Sequence, residues 1–277
     1  MPERYIILSD LHFGRAGPEF TPVSLRGLWR AGDHLIINGD CAELHDPRYW
    51  DVARRQVLEL EDLCEADGVT LTLLAGNHDP SISPLRHLFL AGGEVLVTHG
   101  DVIHPAIAPW CHTAPLIRSA FREAMSTLPV ESHATLQSRL WASQHAATVK
   151  WERVRDQIGW ISPSRLLLRP WAFVQILIYW ATFPREVRKF VADYAPESKI
   201  VVLGHTHRQG VWIKNGVTVI NTGAYGFPAK PRAVLIEGRE MSVLPLRRSS
   251  AGYVFGKPIA RFPLHADSPH PAPPALA

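Results

Sequence analysis

The sequence predicts an α/β protein, and three observations carry that prediction. Five short apolar runs each end in a small polar cluster rich in Asp, His, Asn and Gly. Between the second and third runs, Val52, Val57, Leu60 and Leu63 recur at helical spacing from Pro47 to Asp67, as in a β-α-β crossover. After Gly204 the chain breaks into short segments separated by Asn215-Gly216 and by Gly238, and an Asn-Gly between alternating runs is a hairpin signal.

The runs follow in order as Tyr5 to Leu8, Leu35 to Ile37, Leu71 to Leu74, Val95 to Val97 and Ile200 to Leu203. Each is continuously apolar, which fits a strand buried on both faces. The later segments, Gly210 to Lys214, Val217 to Asn221, Ala233 to Glu237 and Met241 to Leu244, read as antiparallel strands. The stretch 102–197 has few strand-like runs. It carries Trp110, Trp141, Trp151, Trp160, Trp171 and Trp180 among arginines, and Pro115, Pro129, Pro163, Pro170 and Pro184 cut it into several helices. Residues 1–261 are expected to form one domain with 102–197 as a helical insertion, and the Pro- and Ala-rich 262–277 a disordered tail.

Trp171 to Phe183 is almost wholly apolar but short of the ~20 residues a bilayer span needs. It is expected to be a buried helix of the insertion or of a homodimer contact, with an interfacial, lipid-facing helix as the alternative. Of the 277 residues, 46% are hydrophobic, which supports a full core, and a net charge of +3 gives no global basic field for a nucleic acid. Cys41, Cys64 and Cys111 form no CxxC pair and favour a reducing compartment. With no signal-peptide pattern after Met1, the expected location is cytoplasmic, with peripheral contact at the inner membrane surface through the insertion as an extension.

The polar clusters are Ser9-Asp10-Leu11-His12, Asn38-Gly39-Asp40, Gly76-Asn77-His78-Asp79, Thr98-His99-Gly100-Asp101 and Gly204-His205-Thr206-His207. A strand followed by a loop delivers such residues to the carboxyl edge of a sheet, where open α/β sheets place their ligands. Together they hold enough imidazole, carboxylate and amide donors for two ions. That donor mixture suits Mn, Fe, Zn or Co rather than an all-oxygen Mg or Ca cage.

In this order the series Asp10-x-His12, Gly39-Asp40, Gly76-Asn77-His78-Asp79, His99-Gly100 and Gly204-His205-x-His207 resembles the calcineurin-like metallophosphoesterase superfamily. The resemblance implies a four-layer α/β/β/α sandwich of two mixed sheets, with the insertion as a cap over the site. It also implies that Asp10, His12 and His207 hold one divalent transition metal, Mn above all with Fe or Zn as alternatives. Asn77, His99 and His205 would hold a second, with Asp40 bridging. His78 would stabilise or protonate the leaving oxygen, and Glu43 would orient a ligand histidine.

The helical insertion followed by Arg208 resembles the UDP-2,3-diacylglucosamine pyrophosphohydrolases, whose cap forms an acyl-chain pocket. On that likeness the substrate is a lipid-linked pyrophosphate and Arg208 a phosphate contact. The sequence departs from that group in carrying His78 where it usually has Arg, and in a longer insertion. A phosphorylated small molecule, namely a soluble nucleotide or a nucleic acid cleaved by a phosphodiesterase or phosphomonoesterase, is the alternative. A non-catalytic scaffold is a third reading, and it predicts lost ligands where none is missing.

Overall fold

Alternate side chains of the first strand enter different hydrophobic clusters. In β1 (Arg4–Leu8), Tyr5 and Ile7 point one way while Ile6 and Leu8 point the other, the period-two alternation of a strand covered on both faces. The computed structural model that shows this describes residues 4–17, 19–154, 170–226 and 229–265.

Strand β1 pairs in parallel with β2 (Asp33–Asn38), and β2 with β3 (Thr70–Leu74). On the other side, β9 (Arg232–Glu237) joins β1 antiparallel, and β10 (Glu240–Ser249) extends the sheet and holds β11 (Gly252–Phe255) and β12 (Ala260–Pro263). The second sheet runs β4 (His87–Leu90), β5 (Val95–Thr98), β6 (Ile200–Leu203), β8 (Val217–Asn221) and β7 (Gly210–Lys214). Its middle strands β5, β6 and β8 are parallel and its two edges antiparallel, so both sheets are mixed.

The two sheets close on each other through Tyr5, Ile7 and Ile36 from one and Val95, Val97, Val202 and Ile220 from the other. On the outer face of the first sheet, Ile6, Leu8, Leu35 and Ile37 meet Val57, Leu60 and Cys64 of α1 (Trp50–Ala66). On the outer face of the second, Leu96, Val201, Leu203 and Val219 meet Phe183, Val187, Phe190 and Val191 of α4 (Pro170–Tyr194). The layer order is therefore helix, sheet, sheet, helix, as expected.

Helices α2 (Ala114–Thr127) and α3 (Leu136–Val154) pack on each other through Ile117, Phe121, Ala142 and Ala146. The expectation of a cap spanning the whole of 102–197 needs correction, because α4 is the outer layer of the sandwich. Its apolar first half is also one-sided. Tyr179 and Phe183 are buried, whereas Trp171, Phe173, Leu177 and Ile178 face solvent, with Trp171 69% exposed. Among the described residues no helix is long and apolar enough to cross a membrane. Trp160, Pro163 and Arg165 lie outside the described residues.

Three strands have no counterpart in the sequence reading. β4 is a four-residue edge strand with only Leu88 and Leu90 buried, and β11 and β12 are short strands folded back onto β10. β12 also carries ordered structure past the boundary placed at 261, since it runs to Pro263 and Leu264 is buried. Residues 266–277 of the expected tail lie outside the described residues.

Candidate metal centre

The five clusters meet at the carboxyl ends of β1, β2, β3, β5 and β6, on loops whose backbone is unusual. Among the described residues eight side-chain-bearing positions have positive φ, and five of them are Asp10, His12, Asp40, His205 and His207. This region is costly for residues with a Cβ and persists where the surroundings over-determine it, typically at functional sites. The glycines of the clusters serve close approach. A Cβ on Gly76 would fall on the Asp40 carboxylate, and one on Gly204 on that of Asp10.

Asp10 anchors the first donor group. Its fully buried carboxylate accepts the His205 backbone N–H at 3.0 and 3.1 Å and lies 3.3 Å from His207 Nε2. His12 Nε2 stands 3.0 Å from His207 Nε2, and their rings meet edge to face. Two imidazole nitrogens this close beside a buried carboxylate make a chelating set: the donor atoms of Asp10, His12 and His207 all lie within 4.8 Å of one another.

The second group centres on Asp40. His99 Nδ1 donates to the Asn38 carbonyl at 3.0 Å, which turns its Nε2 toward Asp40 Oδ2 at 3.2 Å. His205 Nε2 is fixed by the Ile107 carbonyl at 3.2 Å, which leaves Nδ1 as its lone-pair nitrogen. Asn77 Oδ1 and His99 Nε2 are buried with no hydrogen-bond partner. Buried polar atoms are normally paired, and a cation would give both of these a partner.

Electrostatics set the two imidazoles of this group apart. Burial disfavours a charge on Asp40, but His99, His78 and His12 outweigh it and hold the carboxyl well below its ordinary range. Burial would likewise lower His99, yet Asp40 raises it to about 10, so without a cation this ring carries a proton on Nε2 that a metal would have to displace. His205, buried and facing His99, falls to about 4 and is neutral, as a ligand imidazole must be.

His78 sits at the rim, partly exposed, with its backbone N–H donating to Asp40 Oδ1 at 2.8 Å. Its Nδ1 donates to Glu43 Oε2 at 2.7 Å while His12 Nδ1 donates to Glu43 Oε1 at 2.9 Å. One buried carboxylate therefore sets the tautomer of both rings and leaves each Nε2 turned away from Glu43, that of His12 toward His207. Arg208, by contrast, is directed at α4. It donates to the Trp180 carbonyl at 2.6 Å and lies over the Trp212 ring.

Several positioning residues carry no motif. Arg86 is buried and joins Asp101 Oδ2 at 2.6 Å, and Ser143 of α3 reaches the same oxygen at 3.1 Å. Trp151 of α3 donates from Nε1 to the Asn77 carbonyl at 2.8 Å. Asn221 holds the Gly204 carbonyl and Thr206 Oγ1, so it fastens the loop that carries His205 and His207. Asp79 accepts four backbone N–H groups, from Asp40, Cys41, Ala42 and Gly76, which binds the second and third clusters together. Its burial beside Asp40 pushes its carboxyl up to about 7.

No family model and no curated protein matches the sequence. Among solved structures, the chain is similar to vacuolar protein sorting 29 from Cryptosporidium parvum at 12% identity, covering 95% of this chain and 98% of that one, with a TM-score of 0.47. Vps29 complexed with zinc from Entamoeba histolytica aligns at 10% identity over 94% and 99%, with a TM-score of 0.44. The phosphoesterase Yfce from E. coli aligns at 13% identity over 94% and 99%, with a TM-score of 0.42. Likenesses at this level say nothing of activity.

Proposed function

We propose that the chain is a metal-dependent phosphoesterase of the calcineurin-like kind, with two divalent transition metals at the meeting point of the five clusters. The observation that carries this reading is the pair of donor groups. Asp10, His12 and His207 would hold one ion and Asn77, His99 and His205 the other, with Asp40 between them and with buried, unpartnered polar atoms on Asn77 and His99. Mn is the first choice, with Fe or Zn as alternatives. Bound there, two such ions would supply Lewis acidity toward a phosphoryl oxygen and lower the pKa of a water.

The chain's own residues do the rest. Asp10 and Asp40 supply the negative charge that holds the cations in a buried site. Glu43 keeps a proton on Nδ1 of His78 and orients the ring, so His78 can deliver its other proton to the leaving oxygen. Cap helix α3 fixes the Asn77 loop through Trp151 and the His99 loop through Asp101. Purified protein with Mn²⁺ is expected to hydrolyse bis-p-nitrophenyl phosphate or p-nitrophenyl phosphate and to lose this activity with EDTA. Failure on both across a pH range overturns the reading in favour of a scaffold.

A lipid-linked pyrophosphate is the narrower reading that one feature favours. The exposed apolar face of α4, from Trp171 to Ile178, offers acyl chains or a membrane surface a contact near Arg208, whose guanidinium bonds the same helix. Turnover of UDP-diacylglucosamine in detergent tests it, and its absence alongside hydrolysis of soluble esters removes it.

A further inference from the structure

A cavity of about 320 Å³ opens beside the metal donors, walled by His45, Trp50 and Trp151 and by Arg54, Ser81 and Glu152. Three different parts of the fold build it. His45 comes from the loop after β2, Trp50 and Arg54 from the start of α1, and Trp151 and Glu152 from cap helix α3. None of these residues belongs to the metal-donor groups.

Trp151 is the wall that the cavity shares with the metal centre. Its indole N–H bonds the Asn77 carbonyl, and its ring stands edge-on to His78 with centroids 5.5 Å apart. It also lies nearly parallel to His45, at 20° and 6.1 Å, while His45 Nε2 and Ser81 Oγ are 3.1 Å apart. At the opposite side Trp50 is 38% exposed, with the Arg54 guanidinium 5.9 Å from its ring centroid. Trp151 therefore borders His78 on the metal side and His45 in the cavity.

We propose that this cavity is a base subsite, which takes the nucleobase of a nucleotide ester whose phosphate lies at the metal centre. The inference rests on the phosphoesterase reading and narrows its substrate class. The volume falls at the lower end of the range for small-molecule pockets. Aromatic walls stack on the flat faces of any base, and an arginine among them adds a cation–π contribution. The lining is mixed: Leu44 and the aromatic rings offer apolar surface to the faces of a base, and Arg54 and Glu152 offer a donor and an acceptor to its edge.

Calorimetric titration of the full-length protein loaded with Mn²⁺ tests this with adenosine 5′-monophosphate, uridine 5′-monophosphate, ribose 5-phosphate and dodecyl phosphate. At least one nucleotide is expected to bind about tenfold or more tightly than ribose 5-phosphate, the scale of base–aromatic stacking. Trp50→Ala should bring that ratio close to one, and Trp50→Phe should restore it. Nucleotides no tighter than ribose 5-phosphate, with hydrolysis of bis-p-nitrophenyl phosphate intact, overturn the base subsite alone. Dodecyl phosphate gaining the tenfold advantage in place of the nucleotides, and losing it in Trp50→Ala, overturns it in favour of an acyl subsite. Absence of both phosphate binding and hydrolysis sinks the subsite together with the phosphoesterase reading.

Discussion

His78 and its neighbour Asn77 illustrate how adjacent residues divide a task. Asn77 keeps a buried side-chain oxygen with no hydrogen-bond partner, while His78 stays at the rim with Nδ1 on Glu43. His78→Ala is therefore expected to lower turnover by about 10²–10⁴-fold, the usual contribution of a general acid. Metal content, measured by mass spectrometry, should stay near that of the parent. Loss of metal in proportion to activity would make His78 a ligand instead. The donor types and their order could be read from the sequence because each cluster is contiguous. What could not be read is the conformation that aims them, since positive φ at Asp10, His12 and Asp40 leaves no compositional trace.

At the scale of elements, helix α3 is the piece that makes the site rigid. It reaches the loops of the third and fourth clusters at separate points, through Ser143, through Gln144 on the Pro80 carbonyl at 2.5 Å and through Trp151. The ion pair of Arg86 with Asp101 lies at the first of these. Arg86→Met removes one partner of a buried pair and leaves Asp101 charged in the interior, at an expected cost of about 3–5 kcal/mol. Denaturant unfolding measures this, and a change under 1 kcal/mol would show that the pair is not structural. The core strands were legible because they are continuous apolar runs. Arg86 was not, because a lone arginine before a four-residue edge strand looks like any solvated charge. The role of α4 was hidden for a related reason: periodicity shows that a helix has an apolar face but not which sheet it covers.

For the whole molecule, the two sheets bring together residues nearly two hundred positions apart, as when Asp10 takes the backbone N–H of His205. The metal centre is thus a joint between the sheets, β1 and β2 lying in one, β5 and β6 in the other. A cation held by donors from both sheets would bind only the assembled joint, so saturating Mn²⁺ is expected to raise Tm by about 5–10 °C at a hundredfold excess over Kd. Scanning calorimetry with and without EDTA checks it, and an unchanged Tm would place the ion somewhere other than between the sheets.

Glu43 gives this joint a further property. Its two oxygens take different imidazoles, Oε1 that of His12 and Oε2 that of His78. Displacing that one side chain would free both rings at once, so the inner imidazole and the rim imidazole share a single anchor.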